Sequence, residues 1–179
     1  MRRILVMGSS GSGKSTFARR LSAIIDIPVV SLDALFWKPG WVEPDKDEFR
    51  QRVIEAARQP RWIMDGDYTA RGAGELRRQL SDTIIWFDLP RWACMFGVLR
   101  RIASSYGQVR PEMAEGCPEK IDYEFLHYVW TYREQQRPKL VKYLEELRPD
   151  QSLTCFTDRR QASRFLGNLA PIRDAVSVH

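Results

Sequence analysis

Cysteine and histidine are scarce in this chain. Cys94, Cys117 and Cys155 lie far apart along 179 residues, and the only histidines are His127 and His179. An odd and widely spaced cysteine set excludes a disulfide framework and matches no zinc-site spacing. All three are expected to be structural thiols in a reducing compartment. His127 falls inside a helical pattern and reads as a packing residue, while terminal His179 is uninformative. No apolar run approaches the ~18 residues of a membrane span, which excludes a transmembrane helix. The first strand begins at Arg2 and leaves no room for a signal peptide, so a cytoplasmic protein is expected. Internal repeats and low-complexity segments are missing, and so is any dense basic tract. Net charge is nonetheless +5, from 28 Lys and Arg against 23 Asp and Glu. Such a diffuse surplus suits an anionic small molecule such as a nucleotide better than nucleic acid, which would be the second candidate. Nothing in the sequence fixes an oligomeric state.

What the chain does have is Gly8-Ser9-Ser10-Gly11-Ser12-Gly13-Lys14-Ser15, the G-x-x-x-x-G-K-S spacing of a phosphate-binding loop. Glycines let the backbone curl until successive N–H groups face phosphate oxygens. Lys14 brings a point charge to the β- and γ-phosphates, and the Ser15 hydroxyl is placed to ligand Mg²⁺. An apolar run ends at Met7 ahead of the loop. Behind it, after Thr16, Phe17, Ala18, Leu21, Ile24 and Ile25 recur at helical spacing. Strand, loop and helix in this order aim a helix N-terminus at a bound anion.

Strands and helices then alternate, which predicts one α/β domain over residues 1–179 with a parallel sheet flanked by helices. Strands are expected at Arg2–Met7, Pro28–Leu32, Arg61–Met64, Thr83–Phe87 and Ser152–Phe156. Asp45 and Glu48 read as a capping box. Gly72–Leu80 reads as a helix with Arg77 and Arg78 outward. The helix after Pro90 is expected to bury Trp92, Met95, Phe96 and Leu99. The pattern lapses from Ser104 to Cys117, where Gly107, Pro111, Gly116 and Pro118 mark a loop. A helix follows from about Asp122 with Phe125, Val129 and Tyr132 on one face, and Pro138 should kink or split it.

Phosphoryl transfer from ATP needs a metal, and the metal needs carboxylate support beyond Ser15. Asp33, Asp65 and Asp88 all end predicted strands, at the sheet edge where α/β ligands bind. Asp65 is the favoured metal residue because Gly66 allows close approach. Asp88 is its rival, but Pro90 suggests that Asp88 caps the next helix. Asp33 is the candidate for acceptor contact or general base. Arg100, Arg101, Arg110, Arg133 and Arg137 flank the irregular stretch, about 104–137, and suggest a lid that excludes water while supplying charge. Arg133 and Arg137, four apart, should share a helical face. Trp37, Trp41 and Tyr68 could stack a planar base.

Leu32-Asp33-Ala34-Leu35-Phe36-Trp37-Lys38-Pro39-Gly40-Trp41, Trp62-Ile63-Met64-Asp65-Gly66-Asp67-Tyr68 and Arg110-Pro111-Glu112-Met113-Ala114-Glu115-Gly116-Cys117-Pro118-Glu119 resemble the bacterial "topology modulation" proteins, small P-loop proteins similar to adenylate kinase. The resemblance implies a three-layer P-loop NTPase fold of the nucleoside-monophosphate-kinase kind, with a short lid and strand order 2-3-1-4-5. It also implies ATP and Mg²⁺ as cofactors. Asp65-Gly66 falls where adenylate kinases carry the Asp-Gly that supports the metal. Arg71 lies roughly where they use an arginine on the acceptor phosphate, although Asp67-Tyr68-Thr69-Ala70 replaces their Phe-Pro. Arg100, Arg133 and Arg137 resemble lid arginines by position. Asp158-Arg159-Arg160 follows the last strand, where related kinases cover the adenine.

These readings converge on an ATP/Mg²⁺-binding kinase-like protein that moves the γ-phosphoryl group to a small acceptor, a nucleotide or nucleoside. Residues 8 to 16 would bind ATP, with Lys14, Asp33, Arg100, Arg133 and Arg137 catalytic. Ser15 and Asp65 would hold the metal. Asp33, Trp37, Trp41, Asp67, Tyr68 and Arg71 would meet the acceptor. Two rivals remain: a nucleotide-dependent regulatory protein with a link to DNA topology, and a small-metabolite kinase of the gluconate or shikimate type.

Overall fold

The computed structural model describes residues 1–176, with side chains through Leu169; His179 lies outside the described residues. In chain order the elements are β1 (Arg3–Gly8), α1 (Lys14–Ile25), β2 (Val29–Ser31), α2 (Leu32–Phe36), α3 (Lys46–Ala57), β3 (Trp62–Asp65), α4 (Gly74–Leu80), β4 (Thr83–Phe87), α5 (Arg91–Ser105), α6 (Tyr123–Gln135), α7 (Arg137–Glu145), β5 (Ser152–Phe156) and α8 (Arg159–Val176). The five strands form one all-parallel sheet in the order β2-β3-β1-β4-β5, as expected.

β1 sits at the centre because its apolar run can be buried on both faces. Alternate side chains separate onto the two faces. Ile4 and Val6 join Phe17, Leu21, Phe87, Val98, Phe156 and Leu166 beneath α1, α5 and α8. Leu5 and Met7 join Phe36, Phe49, Val53, Trp62, Met64 and Leu140 on the other side. Register places Val6 opposite Asp65 on one flank and Ile85 on the other. The carboxyl ends of β1, β3 and β4 therefore fall along one edge, where the functional side chains collect. Among the described residues no helix is long and apolar enough to cross a membrane.

Several local expectations are corrected. The inner face of α5 carries Cys94, Val98 and Ile102, whereas Trp92, Phe96 and Leu99 are 69%, 61% and 50% exposed. Both phases of this helix are apolar, and the buried phase is the one whose neighbour Gly97 lets α5 press on the phosphate loop. Arg77 and Arg78 point inward, and Arg77 is fully buried. Asp45 caps α3 by accepting from the Asp47 amide, but Glu48 turns to Lys38 and Arg52 instead of closing the box. Asp33 stands one residue inside α2, whose N-cap is Ser31. Asp88 does not cap α5, since Pro90 occupies that position. Pro138 splits the long helix into α6 and α7, as expected. His127 is exposed on α6. Cys94 and Cys117 are buried, and Cys155 is exposed.

Candidate active site

The phosphate loop connects β1 to α1 and is seated by glycines at contacts that no side chain could survive. A Cβ on Gly11 would lie 2.2 Å from the Cys94 carbonyl oxygen, and one on Gly97 would lie 2.1 Å from the Gly11 carbonyl oxygen. Loop and α5 thus touch backbone to backbone. Gly13 supplies the N-cap of α1 in a left-handed conformation, φ 105°, with no side chain closing the helix end. Open amides at such an end form an anion-binding position. Lys14 Nζ donates to the Ser9 carbonyl at 2.9 Å. Arg159, at the start of α8, donates to the carbonyls of Gly11 at 2.6 Å, Ala93 at 2.9 Å and Ser12 at 3.3 Å. The resemblance places Asp158-Arg159-Arg160 near an adenine, and the Arg159 fork also clasps the loop.

Asp65 ends β3 beside this loop, 6% exposed, and its Oδ1 has no hydrogen-bond partner. Burial raises its pKa from 3.8 to about 6, against the opposing pull of the Lys14 ammonium and the Ser15 hydroxyl. The fold therefore brings together Ser15 and Asp65, the pair read from sequence. An orphaned carboxylate oxygen next to a loop hydroxyl fits a divalent cation, which Mg²⁺-type sites hold with one or two protein ligands plus phosphate and water. Asp88 is committed elsewhere. Arg137 grips it with a two-pronged contact at 2.8 and 2.7 Å, while its guanidinium lies over Trp86.

The segment after Asp65 is held by contacts that the sequence did not reveal. Asp67 accepts from the Gly8 amide at 2.7 Å and from the Tyr132 hydroxyl of α6. With both its oxygens bonded within the protein, Asp67 positions the phosphate loop, and Gly8 spends its amide on that contact. Beneath, Arg77 donates to the carbonyls of Gly72 at 2.7 Å and Asp67 at 2.6 Å. The Tyr68 hydroxyl donates to Asp33 Oδ1 at 2.8 Å, and its ring packs against Phe36 and Phe49, which also meet each other. Tyr68 thus orients Asp33 from the wall of the aromatic cavity. Burial and the Asp33 carboxylate both raise the Tyr68 pKa, so it remains a donor.

Two cavities open on this edge. One, of about 540 Å³, is lined by residues 10 to 16 of the loop, Arg100, Arg159 and Ser163, among others. The other, of about 850 Å³, is lined by Trp37, Trp41, Tyr128, Phe125 and Arg71, together with the 65–70 segment. Lys14, Ser15, Asp33, Arg101 and Arg110 line both and stand at the junction. Arg101 and Arg110 converge on Glu119, which is 4% exposed, at 3.0 and 2.8 Å. Arg110 also reaches Glu112 at 3.1 Å. The segment carrying these groups, residues 106–122, docks on the 37–42 turn. Gly40 N–H donates to the Gly116 carbonyl, Trp41 Nε1 to that of Pro118, and Ser31 Oγ to that of Glu112. Arg133 and Arg137, grouped with the lid arginines on spacing, line neither cavity: Arg133 is exposed and Arg137 holds Asp88. They also belong to different helices, so the shared face expected of them does not form.

No family model and no curated protein matches this chain. Among solved structures, the shikimate kinase of Bacteroides thetaiotaomicron aligns over 97% of this chain and 98% of its own, at TM-score 0.56 and 16% identity. Shikimate kinase from Acinetobacter baumannii, solved in complex with shikimate, aligns over 100% of this chain and 96% of its own, at TM-score 0.54 and 13% identity. The five-stranded parallel sheet in the order β2-β3-β1-β4-β5 belongs to a fold shared with these two kinases. At these identities the likeness is one of fold alone. The narrower resemblance to the topology modulation proteins rests on the three sequence segments.

Proposed function

We propose that this protein is an ATP- and Mg²⁺-dependent phosphotransferase that passes the γ-phosphoryl group to a small acceptor, a nucleotide or nucleoside. The observation that carries this reading is the junction of the two cavities at Lys14, Ser15, Asp33, Arg101 and Arg110. In-line transfer needs donor and acceptor on opposite sides of the moving group, with positive charge between them. The loop cavity takes the triphosphate, and the aromatic-walled cavity takes the acceptor. Ser15 and Asp65 would hold the metal, which when bound neutralises charge on the phosphate oxygens.

Every other step falls to side chains. The loop amides from Ser9 to Thr16 and the Lys14 ammonium bind the phosphates. Arg100, Arg101 and Arg110 supply guanidinium charge around the transferred group. Asp33, held by Tyr68, orients the acceptor hydroxyl and receives its proton. The docked 106–122 segment excludes water. Arg133 and Arg137 have no part in this scheme.

A panel of nucleosides, nucleotides and small hydroxyl compounds incubated with ATP and Mg²⁺ tests it. ADP release above the no-acceptor background is the expected result. Absence of calorimetric heat with ATP, ADP and GTP in the presence of Mg²⁺ would overturn it. Background-level ADP release with every acceptor would instead favour a regulatory binder, and salt-dependent DNA affinity would then be measured. A second reading, a kinase for a small hydroxylated metabolite, draws support from the fold likeness to a protein solved with shikimate. Trp37→Ala combined with Trp41→Ala separates the two, because only a planar acceptor loses binding with the indoles.

A further inference from the structure

Resting on the phosphotransferase reading, we propose that the acceptor is an uncharged molecule with a planar ring and a free hydroxyl, a nucleoside in chemical class, and that nucleoside monophosphates are rejected by charge. The acceptor cavity is walled by three arginines, and each is already bonded to a carboxylate. Arg71 pairs with Glu43 at 3.2 Å, Arg101 with Glu119 at 3.0 Å, and Arg110 with Glu119 and Glu112 at 2.8 and 3.1 Å. Lys120 sits 3.8 Å from Asp122 and over the Trp41 ring. Lys139, at the exposed rim, reaches the neutral Gln136 amide. Lys14 belongs to the donor loop.

A phosphate entering this cavity would compete with Glu119 and Glu112 for the charge of Arg101 and Arg110. The Glu119 carboxylate is nearly inaccessible to water, and a buried charge stripped of its partner is strongly unfavourable. Arg101 and Arg110 keep Nε donors without hydrogen-bond partners and can turn these to a transferring phosphoryl group at the junction while remaining paired, but their charge is already matched by Glu119 and Glu112, so a second anion would enter without a balancing cation. Away from the Lys139 ammonium at the rim, the cavity offers a carboxylate and aromatic faces. Asp33 uses Oδ1 for the Tyr68 hydroxyl, and its second oxygen is available to a hydroxyl donor. Trp37 and Trp41 meet edge to face with centroids 5.3 Å apart, and Phe125 and Tyr128 stack across the same cavity. Such walls select a planar, neutral body.

The step balances without any further reactant. The acceptor oxygen forms a bond to the γ-phosphorus of ATP, the bond from that phosphorus to the β,γ-bridging oxygen breaks, and ADP leaves with the electron pair. The acceptor proton passes to Asp33.

Competition between each nucleoside and its own 5′-monophosphate, with ATP and Mg²⁺ and product read by ³¹P NMR, tests this on the full chain. ATP affinity is measured first by calorimetry, so that failure of the donor site is seen separately. At least one nucleoside is expected to show kcat/KM about 10-fold or more above its monophosphate, on the order expected for an unmatched charge at a buried site. Equal or better use of the monophosphate would overturn the proposal. So would turnover of ring-free hydroxyl compounds alone, or ATP binding with no nucleoside turned over. Glu119→Gln should remove the carboxylate charge facing Arg101 and one of the two facing Arg110, and raise monophosphate affinity. Because that variant could unfold, Glu43→Gln at the rim provides an independent arm. It frees Arg71 and should raise the monophosphate-to-nucleoside affinity ratio about 3–10-fold. An unchanged ratio in a folded Glu43→Gln protein counts against the proposal.

Discussion

Asp65 is the residue whose chemistry the fold alters most. Its pKa is raised on folding from 3.8 to about 6, so its ionised form is the disfavoured one in the folded chain. The stability cost is absent below about pH 4, grows as pH rises towards 6, and is constant above that. Asp65→Asn should therefore stabilise the ligand-free protein at pH 7 by up to about 3 kcal/mol and change little at pH 4. Urea titrations at the two pH values measure the difference. The same variant should lose the Mg²⁺ dependence of ATP binding. Lys14→Ala should lower ATP affinity about 10–100-fold by calorimetry, because a point charge at the phosphates is lost while packing is untouched. Arg137→Gln tests the demotion of that residue. Its pair with Asp88 is partly exposed, so stability should fall by only about 1 kcal/mol, with ATP affinity unchanged.

At the scale of elements, one loop rests on a buried guanidinium. Arg77 of α4 supports the loop that carries Asp67 and Tyr68, and among the described residues it donates to carbonyls and pairs with no carboxylate. Arg77→Met should cost about 3–5 kcal/mol by leaving those buried carbonyls unpaired, and Arg77→Lys should not restore it, since an ammonium cannot span the same fork. Denaturant midpoints decide both. The α5 helix supplies the contrasting case. Alanine is the better helix former by about 1 kcal/mol, yet Gly97→Ala should weaken ATP binding about 10-fold because its Cβ collides with the Gly11 carbonyl. Gly167→Ala on α8, where nothing lies within 4 Å, should instead stabilise by about 0.5–1 kcal/mol. The amphipathic periods located both helices. They did not give the phase of α5, because apolar side chains stand on both its buried and its exposed side, nor the inward aim of Arg77, because arginine at a helical position usually faces water.

For the whole molecule, the parallel sheet decides which distant segments share an edge. Parallel pairing with β1 in the centre brings Asp65, Asp33 and the phosphate loop together although they are far apart in sequence. The 106–122 segment then docks beside them through its own carbonyls, which accept from Gly40 N–H, Trp41 Nε1 and Ser31 Oγ. Accepting carbonyls leave no trace in side-chain patterns. Glu119 is the clearest instance: an acidic residue in a loop, and only the docked loop turns it into the buried partner of two arginines.

The amino-acid sequence alone determined the phosphate loop, the alternation of strands and helices, and the pairing of Ser15 with Asp65, because each is written in local spacing or at the end of an apolar run. Tertiary structure decided which arginines line the two cavities. Arg101 and Arg110 line the cavities while Arg133 and Arg137 do not, and Asp67 and Tyr68 turn to positioning the loop and Asp33. The physical reason is that an arginine or carboxylate takes its role from the partner that neutralises it, and partners far apart along the chain meet only once the sheet has set its edge.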